Sequence, residues 1–318
     1  MTTPAPQIVY DVVIVGGGPA GLSAALVLAR ARRRVLVLDS NNPRNAAARA
    51  VGNYLTRDGI SPQEIRRLGR DEAAGFGAEL RDAEVLSGRC VPGGFEVETA
   101  AGERFAGRKL LLATGVRDEL PPVRNLREFY GLGVHHCPYC DGWHYRDKRI
   151  VSYGLGRPGL GLALSLLTWS RSITLCTDGA KLGRRARRDL ETFGLAHRPE
   201  PILRLEGADG EPRPGRADRL ARVIFTEGPP LEIDALFFNT GQVQRSNLPM
   251  KLGCRVGPAG GVLRDRRQRT GIPGLFLAGD ASRDVQFVIV AAAEGAKAGV
   301  AINAELQRED RDRATRAS

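Results

Sequence analysis

Short apolar runs alternate with glycine turns and Ala/Leu-rich stretches along this chain. Residues 9–15 form a β-branched run of strand length that ends in Gly16, Gly17 and Gly18. From Gly21 to Ala31 alanine and leucine recur at helical spacing, and residues 35–38 read as a second buried strand, which completes a βαβ unit. Ser61-Pro62 followed by Glu64 predicts a helix to about Phe76, with serine as N-cap and proline at the first helical position. Strands are expected at 84–91, 95–99 and 104–113. Pro121-Pro122 interrupts the pattern, and a second βαβ unit follows: strand 149–153, glycine turn 154–159, helix to about Ser170, strand 172–176. Residues 233–239 and 274–278 read as later buried strands, and a long helix is predicted from Val285 to about Leu306. The charged, apolar-poor stretch 308–318 is expected to fray.

The 318 residues exceed the usual size of one compact domain, so two domains are expected. Hydrophobic residues make up 42% and charged residues 26%, a soluble globular balance, and the longest apolar stretch, 160–169, is too short to span a bilayer. The first residues carry no basic n-region and run into a strand, which predicts a cytoplasmic protein. The net charge of +11 could steer acidic partners, including an electron-donor protein. The basic residues are almost all arginines, spread from Arg30 to Arg316 without an aromatic-interleaved cluster, so no nucleic-acid function is expected. Of five cysteines only Cys137 and Cys140 are spaced to react together; Cys90, Cys176 and Cys254 are expected to be buried, inert thiols.

Three motifs carry chemistry. Gly16-x-Gly18-x-x-Gly21 lies between strand and helix, and Asp39 closes the next strand about twenty residues on, the setting of a dinucleotide-binding fingerprint. The glycines allow a tight turn and close approach to a pyrophosphate, and Asp39 can accept from ribose hydroxyls. Gly154-x-Gly156-x-x-Gly159 repeats the pattern with Asp178 as the acid, although a turn kept only for packing would look the same. There Pro158 is placed to begin the helix, and Arg157 faces either a phosphate or solvent. If a nucleotide binds, the charge of Asp178 argues against a 2′-phosphate.

Cys137-Pro138-Tyr139-Cys140 allows redox chemistry, a metal site or coincidence. A structural zinc needs four ligands, and His135, His136 and His144 supply no second spaced pair, so no metal site is expected. Asp141 is placed to give or take the proton that thiolate chemistry requires. The segment Gly274 to Asp280 puts a carboxylate just beyond a strand. The following helix could aim its positive end at a flavin, or could simply be capped by Asp284.

With these pieces in order, the chain resembles the low-molecular-weight thioredoxin reductases over nearly its whole length. The likeness rests on Gly16-Gly17-Gly18-Pro19-Ala20-Gly21-Leu22, Ala113-Thr114-Gly115, Cys137 to Gly142, the second glycine turn and Ala278-Gly279-Asp280. The resemblance implies an α/β fold of two Rossmann-like, three-layer ββα nucleotide-binding domains, the second inserted into the first. The FAD domain would be 1–117 and 245–318, and the insert with the redox pair 118–244. It also implies a homodimer, a thioredoxin-like protein or small disulfide or dithiol as substrate, Cys140 as the cysteine beside the flavin, Cys137 as attacker and Asp141 as acid/base. Asp280 would hold the ribitol chain, and Gln286 would lie beside the flavin ring. The family's His-Arg-Arg signature for NADPH is replaced by Cys176-Thr177-Asp178-Gly179, and Arg184, Arg185, Arg187 and Arg188 follow at the spacing of a solvated helix face. NADPH is therefore not expected as donor. Asn42-Pro43-Arg44-Asn45 is similar to relatives that hold a second FAD in the insert and to oxygen-using dithiol oxidases. Cys137 to Trp143, Cys176 to Gly179 and Gly279 to Gln286 look most like the diflavin group, so a second FAD, or NADH, is expected in the insert. A dithiol oxidase and a non-catalytic flavin redox sensor remain alternatives.

Overall fold

The structure is a computed structural model that describes residues 9–212 and 219–317. The chain opens with β1 (Tyr10–Val15), α1 (Pro19–Arg30) and β2 (Val35–Asp39), the first predicted βαβ unit. α2 (Pro62–Gly75) starts as its sequence foretells: the Ser61 hydroxyl accepts a hydrogen bond from the Glu64 N–H at 3.1 Å. Then come β3 (Glu79–Asp82), β4 (Val85–Val91), β5 (Gly94–Thr99) and β6 (Arg104–Leu112). After β7 (Val116–Asp118) follow α3 (Leu126–Phe129), β8 (Val134–His135), α4 (Pro138–Asp141), β9 (Ile150–Tyr153), α5 (Gly156–Leu166), β10 (Ile173–Cys176) and α6 (Arg184–Phe193). Strands β11 (Ala196–Arg198), β12 (Ile202–Gly207), β13 (Leu220–Phe225), β14 (Leu231–Glu232) and β15 (Ala235–Phe238) lead to β16 (Gln242–Gln244). The chain ends with α7 (Leu248–Lys251), β17 (Leu275–Leu277) and α8 (Val288–Ala317).

Two compact units result. One comprises the segments up to Ala46, Asn53–Arg117 and from Val243 onward; the other comprises Ala47–Gly52 and Asp118–Gln242. In the first, β3-β2-β1-β6 and β17 run parallel, and β6 turns the same sheet into an antiparallel β6-β5-β4 meander. Side chains of the parallel strands alternate between two cores, as strand periodicity requires. Val12, Ile14, Val35, Val37 and Leu111 pack with α1 and α8, whereas Val13, Val15, Leu36, Leu38, Leu110 and Leu112 pack with Val85, Phe95 and Val97 of the meander. Helix, sheet and meander are the three layers. In the second unit β11-β10-β9-β15-β8 form a parallel sheet, accompanied by an antiparallel β12-β13-β14 sheet.

Four expectations are corrected. The hexapeptide Ala47–Gly52, expected within the 1–117 domain, belongs to the second unit, and Val243 and Gln244 belong to the first. A Cβ on Gly131 would sit 2.0 Å from the Ala47 carbonyl oxygen, and one on Gly52 would sit 2.9 Å from that of Cys140, so glycines at both contacts let the strap lie close. The C-terminal stretch is helical rather than frayed. Arg108 meets Glu309 at 2.9 Å and Asp310 at 2.7 Å, Arg33 meets Asp310 at 2.7 Å, and Lys109 pairs with Glu305 and Glu309. Arg108 and Lys109 are largely buried, so these ion pairs are better shielded than surface ones. Cys90 is exposed rather than buried, because β4 is the edge strand of its sheet. The last helix begins at Val288, so Asp284 and Gln286 precede it, and Asp284 accepts from the Val285 N–H at 2.8 Å. Among the described residues no helix is long and apolar enough to cross a membrane.

Candidate active site

The first glycine turn sits where the C-terminal ends of four parallel strands line up. Val15 is in register with Leu38 and Leu112, and Leu112 with Leu277, so Gly16, Asp39, Ala113 and Ala278 come next on neighbouring strands, with Gly279 one residue further. Open α/β sheets bind ligands at such ends. A Cβ on Gly16 would lie 2.3 Å from the Ala113 carbonyl oxygen, and one on Gly21 1.9 Å from that of Gly16. These two glycines are fixed by backbone packing. Gly18 differs: a Cβ there meets nothing within 4 Å, so its bare backbone faces open space. Pro19 opens α1, with Ala20 in the same turn, and no side chain among the described residues caps the free N–H groups. Thr114 adds a buried hydroxyl without a hydrogen-bond partner among the described residues, beside Gly115 at φ 66°. An uncapped helix start, open backbone and an orphaned hydroxyl form a cradle that fits a dinucleotide's pyrophosphate.

The acids of this cradle are already engaged. Asp39 is buried and ion-paired with Arg66 of α2, with Arg70 of the same helix 3.6 Å away. Asp280 takes the Arg44 guanidinium at 2.8 Å, and Arg44 also donates to the Gln286 side chain at 2.9 Å. The Gly279 N–H donates to buried Glu294 at 2.8 Å, and Glu294 is paired with Arg264. Sequence reading singled out neither Arg66, Arg70 nor Glu294. The i,i+4 arginines of α2 were visible, but their target, Asp39, lies across the fold.

In the second unit Cys137 and Cys140 form a disulfide at the start of α4. The Cys140 N–H donates to the Cys137 sulfur at 3.1 Å. Asp141 Oδ1 lies 3.3 Å from His135 Nδ1, and His135 Nε2 lies 3.1 Å from the Tyr145 hydroxyl. The Tyr145 phenol is pushed above its ordinary range by burial and by the Asp141 charge, so it stays a neutral partner. The two other histidines weighed as metal ligands diverge. His136 Nδ1 meets the Tyr130 hydroxyl at 3.1 Å, and His144 is exposed. Tyr139 and Trp143 are exposed on either side of Cys140, while Trp169 closes on Gly142 from behind.

The second glycine turn repeats the packing of the first. Cβ atoms on Gly154 and Gly159 would lie 2.6 and 2.1 Å from backbone atoms of each other, whereas Gly156, at φ 60°, faces open space. α5 starts at Gly156, so Pro158 is its third residue rather than its first. Asp178 is held by the Tyr153 hydroxyl at 2.7 Å and the Ile202 N–H at 2.8 Å. Burial foremost, and then Asp178 itself, hold Tyr153 far above the usual phenol range, so it remains a donor. Arg184, Arg185, Arg187 and Arg188 are exposed on α6, and Cys176 is buried, its thiol pushed up to about 12 by that burial.

Comparison with known proteins bears on this arrangement. Residues 10–295 match the family model described as pyridine nucleotide-disulphide oxidoreductase. A probable thioredoxin reductase of Arthroderma benhamiae is 30% identical over 96% of this chain and 82% of its own. The crystal structure of HlmI is 35% identical with a TM-score of 0.91, covering 97% of this chain and 96% of that one. The crystal structure of a putative thioredoxin reductase TrxB from Bacillus anthracis is 29% identical with a TM-score of 0.88, covering 95% and 100%. The chain thus belongs to the pyridine nucleotide-disulphide oxidoreductase family and is a thioredoxin reductase-like, flavin-dependent disulfide oxidoreductase.

Proposed function

We propose that the protein moves two electrons between FAD, held by the first glycine turn, and the Cys137–Cys140 pair, and from there to a protein or small-molecule disulfide, without NADPH as donor. The observation that carries this reading is a disulfide flanked by an acid, Asp141, in one unit, together with a dinucleotide cradle in the other. Gly16, Gly18, Pro19, Ala20 and Gly21 would meet the pyrophosphate, Asp39 the ribose, and Ala113, Thr114, Gly115, Gly279, Asp280 and Gln286 the rest of the cofactor. FAD supplies the two-electron store. Within the pair, Cys137 is the attacker, as the resemblance to the low-molecular-weight thioredoxin reductases implies.

The donor reading rests on Asp178. Its carboxylate is tied to Tyr153 and Ile202, so the negative charge stays where a 2′-phosphate would need a cation. The open backbone at Gly156 leaves room for a pyrophosphate, which with the Asp178 charge supports an adenine dinucleotide without that phosphate; the resemblance to diflavin relatives puts FAD ahead of NADH. Flavins released per chain on denaturation, together with NADPH and NADH titrations of the intact protein, test both parts. Two flavins and no reduction by micromolar NADPH are expected; one flavin with rapid, saturable NADPH reduction overturns the donor reading. Peroxide formed during dithiol turnover would reverse the direction of electron flow and make the protein a dithiol oxidase.

A further inference from the structure

The functional reading uses Asp141 but leaves the buried imidazole against it without a part. His135 is 6% exposed, at the end of β8, with its ring between Tyr145 (centroids 5.2 Å apart) and Phe237 (5.4 Å). One nitrogen faces the Asp141 carboxylate at 3.3 Å and the other the Tyr145 hydroxyl at 3.1 Å, and that hydroxyl lies 3.5 Å from the Leu132 carbonyl. A carboxylate, an imidazole, a phenol and a backbone carbonyl therefore run in one line from the residue after Cys140 into the core. A buried ring with both nitrogens engaged has a fixed orientation, and it holds the carboxylate it meets in place.

We infer that His135 is the positioning residue that fixes the Asp141 carboxyl in the orientation from which it delivers a proton to the leaving sulfur of an alkyl disulfide. The inference rests on the proposed exchange at Cys137–Cys140. The step balances as follows. The Cys137 thiolate attacks one sulfur of R–S–S–R, a Cys137–S bond forms, the S–S bond breaks, and the electron pair leaves with RS⁻, which takes the proton from Asp141 to give RSH. Cys140 then passes its thiol proton to the Asp141 carboxylate, and its thiolate attacks the Cys137 sulfur. The second RS⁻ leaves and takes that proton. The pair is oxidised by two electrons, the substrate is reduced by two, and Asp141 ends ionised.

The charged and titratable groups facing this line are Tyr145, Arg49, Arg219 and Asp234, with the cysteine pair itself. Leaving-group chemistry separates their general effect from proton delivery. An alkyl thiolate is strongly basic and gains from an acid, whereas an aryl thiolate of low pKa leaves unaided. The test uses the intact, photoreduced or dithiol-reduced enzyme and follows single-turnover oxidation by bis(2-hydroxyethyl) disulfide and by 5,5′-dithiobis(2-nitrobenzoate), from pH 5 to 9. In His135→Phe, and in His135→Asn, which leaves a polar group of similar reach, the alkyl rate should fall about 10- to 100-fold at neutral pH. The aryl rate should fall far less. Equal losses on both probes in both variants overturn the assignment. Asp141→Asn should show the same alkyl selectivity. If it does and the His135 variants do not, the role of Asp141 stands and that of His135 fails; if it does not, the acid role of Asp141 and the inference fall together.

Discussion

The two glycine turns of this chain are near copies in their backbone and differ in what surrounds their acids. In each, the outer glycines are pressed against backbone, Gly21 on Gly16 and Gly159 on Gly154, while the middle one, Gly18 or Gly156, faces open space. Asp39, however, is neutralised by Arg66, with Arg70 nearby, from a helix of the first unit, whereas Asp178 is held by a neutral phenol and a backbone N–H. The same turn thus sits beside a compensated charge in one unit and an uncompensated one in the other. The shape of a phosphate cradle is a local property of a few residues, and the charge a ligand meets there is set by helices and strands that pack around it.

The comparison breaks most visibly at the close-packed glycines. Gly21→Val should cost about 3 kcal/mol or more, because its Cβ would overlap a carbonyl that cannot retreat. Flavin should be lost with it, as read by released-flavin absorbance and thermal unfolding. Gly159→Val should cost a similar amount but leave the flavin of the first unit in place. Loss of all flavin from the second variant would show that the turns are not independent.

At the acids the expected effects are smaller and unequal. Asp39→Ala leaves the half-buried Arg66 guanidinium without its carboxylate, with only the Asn41 side chain, among the described residues, still accepting from it, and should weaken flavin binding about 10- to 100-fold in a fluorescence titration of the stripped protein. Asp178→Ala removes one acceptor without orphaning a cation, so dinucleotide affinity at the second turn should fall only about tenfold by calorimetry. Equal effects at the two sites would erase the distinction. Tyr153→Phe should cost about 1 kcal/mol of stability, the net worth of one hydrogen bond.

The smallest effect concerns pH. The Asp310 carboxyl is held below its ordinary 3.8, chiefly by the Arg33 hydrogen bond. A lowered folded value means that its support of the end of α8 is fully present above 3.8 and is lost as pH falls through the lowered value. Amides of residues 308–317 should therefore be protected from hydrogen exchange at neutral pH and lose protection first under acid. Uniform loss across α8 would assign the helix end no special dependence on this carboxylate.

The sequence by itself determined the features written in neighbouring residues: both glycine turns, the strand–helix–strand periods around them, the Ser61 cap and the cysteine spacing that permits a disulfide. Each follows from backbone sterics or a hydrophobic period within one stretch of chain. Tertiary structure decided what depends on residues far apart in the chain. Arg44 reaches Asp280 only once β17 pairs with β6, and Arg33 reaches Asp310 only once α8 packs beside α1, which also turns a charged, fray-prone tail into helix. The hexapeptide Ala47–Gly52 leaves its sequence neighbours because Gly52 and Gly131 admit it against the redox unit, a fit that no local pattern records. His135 looked like a possible metal ligand beside the cysteines, and only the turn of α4 against β8 sets it on Asp141. Local propensity fixes the conformation of a segment, but the partner of a charged group depends on which surfaces the cores bring together.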